Sequence, residues 1–136
     1  MADLVVTAAN VIRGTNATVG TGDAGETITA GQCVYKDTTD LNKYKRCDNS
    51  AEASARIAGI ALSGASNGQP ISFVMAGDVN PGAVVTVGEI YLVSTTAGGI
   101  APEADVVSTE YVSIIGVGTT ASNIQVKINI SGKQVP

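Results

Sequence analysis

At 136 residues the chain suits one domain that buries most of the apolar surface it would expose when unfolded. Eight Lys and Arg against twelve Asp and Glu give a net charge of −4. With its cations scattered apart from one small cluster, nucleic acid is not an expected partner. The chain has no histidine, which removes Ser-His-Asp and Cys-His nucleophile systems in their usual form and any His-ligated zinc or iron site.

The apolar palette sets the fold class. There are 17 Val, 12 Ile and 14 Thr against four Leu, with one Phe, four Tyr and no Trp. β-Branched side chains suit a pleated, half-buried surface and lose rotamer freedom on a helix. The expectation is an all-β, single-domain β-barrel or β-sandwich, with at most one short helix near residues 49–56. A repeat sharpens this: Gly20, Gly25, Gly31 and Gly59 recur 57 residues later as Gly77, Gly82, Gly88 and Gly116. Two copies are too few for a solenoid, so segments 20–77 and 77–132 are expected to form two related halves on one core.

Residues 1–24 are expected to form an extended N-terminal arm, and residues 25–136 the β domain. The arm carries two short β-prone runs, Leu4–Thr7 and Val11–Arg13, and could complete a sheet edge in its own chain or in a neighbour. The N-terminus shows no basic segment followed by a long apolar one, so synthesis in a cytoplasm is expected.

The first half then predicts strands over Thr27–Lys36 and Lys43–Cys47 around a turn at Thr38–Asn42. Lys43, Lys45 and Arg46 form the one basic cluster, which fits either a small contact patch or a solvated hairpin tip. If the hairpin turns at Asp40, residues whose numbers sum to 80 face each other, setting Cys33 opposite Cys47. That register permits a disulfide in principle, whereas a reducing cytoplasm favours two buried thiols. Asn49 and Glu52 have the spacing of a helix start. Strands Ile57–Leu62 and Ile71–Met75 follow, joined by a loop holding Asn67-Gly68. The stretch from Ile57 to Gly77 carries no charge, but its polar centre would not be accepted by a lipid core, so no membrane association is expected.

Asn80-Pro81-Gly82 marks a turn into the second half. Strands are predicted at Val84–Val87, Ile90–Ser94, Tyr111–Val117 and Ile124–Ile130, with a loop over Gly98–Pro102 replacing the charged hairpin. The last strand alternates without a fault, so Ile124, Val126, Ile128 and Ile130 are expected to face the core.

Candidate chemistry is thin. Asp23 with Glu26, and Glu103 with Asp105, are carboxylate pairs in loops that should be well solvated. No phosphate-binding or dinucleotide fingerprint is present. No cofactor, metal or small-molecule substrate is implied, and an enzyme is not expected.

One longer pattern does point to a family. Gly25-Glu-Thr-Ile28-Thr-Ala-Gly31-Gln32-Cys-Val34-Tyr35, the alanine-rich run from Ala53 to Ala61, and Gly88-Glu-Ile-Tyr91-Leu92-Val-Ser94 through Gly98-Gly99-Ile100-Ala-Pro102 occur in order. Together with Val112–Val117 and Ile124–Ile130, this series resembles the bacteriophage capsid decoration, or cement, proteins over residues 4–132. The resemblance implies a structural virion protein without catalytic residues. It would be made in a host bacterial cytoplasm and bind the outer capsid surface as a dimer or trimer, stabilising contacts between major capsid protein subunits. Candidate contacts are then the arm residues Leu4, Val5 and Val6, the basic hairpin with Lys43, Lys45 and Arg46, and the loop holding Gly98, Gly99 and Pro102. Cys33 and Cys47 are not features the family requires. A carbohydrate-binding or adhesive β-module of a phage tail or cell surface is the alternative, and it would call for an exposed aromatic or carboxylate cluster.

Overall fold

The computed structural model describes residues 3–136; Met1 and Ala2 of the expected arm lie outside the described residues. The fold is all-β. Among the described residues ten strands run as β1 Val11–Arg13, β2 Thr18–Asp23, β3 Cys33–Asp37, β4 Lys43–Arg46, β5 Ile57–Ala61, β6 Pro70–Pro81, β7 Ile90–Val93, β8 Ile100–Pro102, β9 Tyr111–Gly118 and β10 Ile124–Gln134. They form one curled antiparallel sheet, a half-barrel, in the order β4-β3-β5-β6-β10-β9-β7-β8, with β1 and β2 also paired to β6.

β6 is the spine. Its first part pairs with β2 and β5, and its last part with β1 and β10. Residues 11–13 and 18–23 of the N-terminal segment are therefore strands of their own chain's sheet. The two halves are related through this shared strand, and the 57-residue offset carries into the hydrogen-bond register. β3 meets β5 as Cys33↔Ile60, Val34↔Gly59 and Tyr35↔Ile57. β7 meets β9 as Ile90↔Val117, Tyr91↔Gly116 and Leu92↔Ile114. Each member moves by the same 57 positions, and the register shift falls at the equivalent step. The turn before each of these strands repeats as well: Gly31 N donates to Ala61 O (2.8 Å), and Gly88 N to Gly118 O (2.8 Å). Gly31 at φ 90° and Gly88 at φ 84° hold the left-handed conformation that glycine adopts without steric cost.

The core follows the pleat. Ile28, Val34, Ala61, Ile71 and Phe73 form one buried cluster in the first half. A larger one joins Val79, Val85, Tyr91, Val93, Ile100, Ile115, Ile124 and Val126 to Cys33, Cys47, Ile57, Ile60 and Val74. In β10, Ile124 and Val126 are buried, whereas Ile128 and Ile130 are half-buried and pack against the larger cluster from its rim.

No α-helix forms among the described residues, within the expected limit of one short helix. Four local expectations need correction. Asp48 Oδ1, rather than the side chain of Asn49, accepts from Ser50 N (3.0 Å), and the run closes a single helical turn, Ala55 N to Ala51 O (3.0 Å). One turn is too short to sustain a helix. Thr27–Gln32 is not strand but a loop held by reciprocal bonds between Ile28 and Ala65, its Gly31 turn interrupting the ladder. Val84–Val87 is likewise a loop, anchored by Val85 N to Ala121 O (2.9 Å). Residues 100–102, expected as loop, are the strand β8. β6 continues through Pro81, and the expected turn at Asn80-Pro81-Gly82 follows at its end, where Gly82 at φ 78° donates its N–H to Asn80 Oδ1 (2.9 Å).

Candidate docking surface

The arm candidates have different surroundings. Leu4 N donates to Ile100 O (2.9 Å) on β8, and Thr7 N to Gly82 O (2.8 Å), so residues 4–7 bridge the rim of the second half. Leu4 is half-buried against the core and Val6 is half-buried, but Val5 is 85% exposed. Beside it stand Ile12, 63% exposed, and Val84, 84% exposed. With Thr7, Ala9, Asn10, Asn80, Gly82, Ala83, Ala121 and Ser122 these three side chains border one shallow groove of ≈ 550 Å³. Exposed β-branched residues gathered at one place mark a surface suited to contact.

The basic hairpin is occupied internally. Lys45 Nζ lies 2.9 Å from Asp37 Oδ2 and 3.1 Å from Asp40 Oδ2. Arg46 Nε lies 3.4 Å from Glu26 Oε2, whose oxygen also accepts Arg46 N (2.7 Å). Glu26 thus closes the outer edge of β4, as does Gly25 N donating to Tyr44 O (2.7 Å). Hydrogen bonds from Thr39 and Lys45 lower the Asp37 pKa from 3.8 to about 2, and those to Asp37 and Asp40 raise that of Lys45. Lys43 has no carboxylate partner among the described residues.

At the hairpin tip stands Leu41, which the sequence reading passed over. It is 85% exposed at φ 55°, followed by Asn42 at φ 58°. An apolar, γ-branched residue in the left-handed region is disfavoured. The missing signal was the absence of glycine in a turn that requires two positive φ values.

Gly98 and Pro102 are buried, and Gly99 is half-buried. Cys33 N donates to Gly98 O (3.0 Å) and Gly98 N to Cys47 O (2.7 Å), so this turn is inserted where β3 and β4 diverge. Gly98 therefore ties the halves together, while Pro102 pairs with Tyr91 inside the second half, and a surface role for either does not fit their burial. The β3–β4 register is the one expected, Val34↔Arg46 through Asp37↔Lys43, and Cys47 N donates to Cys33 O (2.9 Å). Both cysteines are free, buried thiols. Burial raises both pKa values far above the ordinary thiol range, so neither is a thiolate at neutral pH.

A second concavity, of ≈ 360 Å³, is polar. Its wall includes Asp3, Asn49, Ser94, Asp105 and Glu110. Asn49 is 1% exposed; its Nδ2 donates to Val93 O (3.0 Å) and Glu110 Oε2 (3.3 Å), while Oδ1 has no partner. Leaving a buried acceptor unpaired costs about 1–3 kcal/mol. No group of three or more Asp, Glu or Cys side chains that could hold a metal ion occurs among the described residues. Of the tyrosines, Tyr91 is buried with its hydroxyl accepting Thr86 N (2.9 Å), and Tyr44 packs on Phe73 at 4.7 Å. Tyr35 and Tyr111 are half-buried, so no tyrosine forms an exposed aromatic platform.

Comparison with known protein families and with curated protein sequences finds no match to this chain.

Proposed function

We propose that this chain is a structural virion protein that binds the outer surface of a phage capsid and stabilises contacts between major capsid protein subunits. The observation that carries the reading is the groove where Val5, Ile12 and Val84 stand exposed among polar neighbours, with the N-terminal segment supplying two of these three large apolar side chains. Burying one such side chain against a partner contributes about 1.5–3 kcal/mol. The ordered resemblance over residues 4–132 names the partner class, and Leu41 provides a second apolar point of contact. Assembly as a dimer or trimer multiplies contacts that are weak one at a time, because linked sites act at high effective concentration.

The test is co-sedimentation with purified expanded capsids. Stoichiometric retention is expected, with the Val5→Asp, Val84→Asp double variant folded but lost to the supernatant. Free protein with no capsid affinity overturns the reading, and binding on a sugar array would transfer it to the adhesive alternative.

A further inference from the structure

Asn67-Gly68 is the one asparagine–glycine step in the sequence, and the loop from β5 to β6 carries it at the surface with both residues exposed. Its geometry is that of a type II turn. Gln69 N donates to Ser66 O (2.9 Å), and Gly68 stands at φ 87° in the position that needs a positive value. Further bonds fasten this turn: Gly68 N donates to Ala24 O (2.7 Å), Ala24 N to Gln69 O (2.8 Å), and Ser66 N to Gln69 Oε1 (2.8 Å). Ala24 is 0% exposed, so an exposed turn is pinned to a buried residue through the amide nitrogen of Gly68.

We propose that Asn67 is a site of spontaneous deamidation, gated by release of Gly68 N from Ala24 O. In that step Gly68 N attacks Asn67 Cγ and gives its proton to solvent base. The new C–N bond closes a cyclic succinimide, and the side-chain nitrogen takes up a proton from water and leaves as ammonia. Water then opens the ring at either carbonyl, leaving an aspartyl or isoaspartyl residue with no change of oxidation state. Glycine hinders the attack least, and no atom lies within 4 Å of where a Gly68 Cβ would stand. Every other asparagine precedes a residue that has a Cβ. In the closed turn the nucleophile is withheld. Its proton is donated to Ala24 O, and a type II turn sets the Asn67 ψ near ~120°, which turns Gly68 N away from the Asn67 side chain. The assignment is independent of the capsid reading.

The full chain is incubated at pH 8 in native buffer and in urea, and the peptide spanning Asn67 is scored by mass spectrometry for aspartyl and isoaspartyl products. Deamidation at Asn67 is expected in urea, and at least about tenfold more slowly in the folded protein, because a slow modification follows the small open population. Gln69→Ala removes the bond from Ser66 N without altering Asn67 or Gly68. It should raise the ratio of the folded rate to the urea rate about fivefold, the worth of one net hydrogen bond. The Gly68 amide of the parent should also be protected from hydrogen exchange, a readout that does not depend on how well the variant folds. Equal rates in buffer and urea, no deamidation in urea, a Gln69→Ala ratio equal to the parent's, or rapid exchange at Gly68 each overturns the proposal.

Discussion

The β3–β4 turn and the β7–β8 turn occupy the same place in the repeat and have opposite fates. In the first half, Asp37 Oδ1 accepts Thr39 N (2.9 Å) and the hairpin beyond it carries ions into solvent. In the second, Ser94 Oγ accepts Thr96 N (3.1 Å), and the turn is folded inward between Cys33 and Cys47. The cap is geometrically conserved across the 57-residue offset, but its chemistry follows burial. A carboxylate is tolerated where water and Lys45 reach it; at Ser94, 3% exposed, a hydroxyl gives the same bond without a charge to desolvate. A repeat sets backbone geometry, and the environment then selects the side chain.

The largest expected effect tests the equivalence of the halves. A Cβ on Gly59 would collide with Val74 O, and one on Gly116 with Gln125 O, both backbone atoms that cannot step aside. Gly59→Ala and Gly116→Ala should each lose about 3 kcal/mol in urea unfolding. A mild effect at one and a severe effect at the other would break the equivalence. Exchanging the caps sharpens the difference between the turns. Ser94→Asp buries a carboxylate next to Asp3 and should cost about 2–4 kcal/mol at pH 7, measured by the urea midpoint.

Asp37→Ser should be far milder and visible through pH. The folded-state pKa of Asp37 lies below its ordinary value, so its contribution is present above about pH 4 and disappears as pH falls through about 2. The gap in urea midpoint between the parent and Asp37→Ser should therefore close over that window; a gap constant with pH would exclude the ion pair as its source. Leu41→Gly relieves a left-handed residue and should stabilise the free protein by about 1 kcal/mol, while weakening capsid retention where the tip is a contact. The smallest signal is chemical: Cys33 and Cys47 should remain unmodified by iodoacetamide at pH 8 in the native state and react fully in urea.

Much of the scaffold was legible from particular residues. The alternation Ile124-Gln-Val-Lys located β10, and the turn at Asp40 yielded the β3–β4 register that aligns Cys33 with Cys47. What misled was local propensity without context. Val84–Val87 has the residues of a strand, but the turn at Gly88 and the bond from Val85 to Ala121 hold it as a loop. Asn49 has the spacing of a cap, yet its side chain turns inward to Val93. The candidate surface was legible in part: Val5 is exposed as a contact must be, whereas Gly98 and Pro102, singled out because the halves diverge there, proved to be interior. Divergence between repeats marks a change of environment, and that environment can be the core as well as a partner.

The sequence by itself determined the all-β class, the two related halves and the glycine positions at which chains approach closely. Those depend on side-chain shape and backbone freedom, which each residue carries wherever it is placed. Only the tertiary structure decided which repeated turn meets water, how the basic hairpin neutralises itself through Asp37, Asp40 and Glu26, and that Val5, Ile12 and Val84 share one groove. Those depend on distances between segments far apart in the chain, and no local pattern encodes which surface another segment will cover.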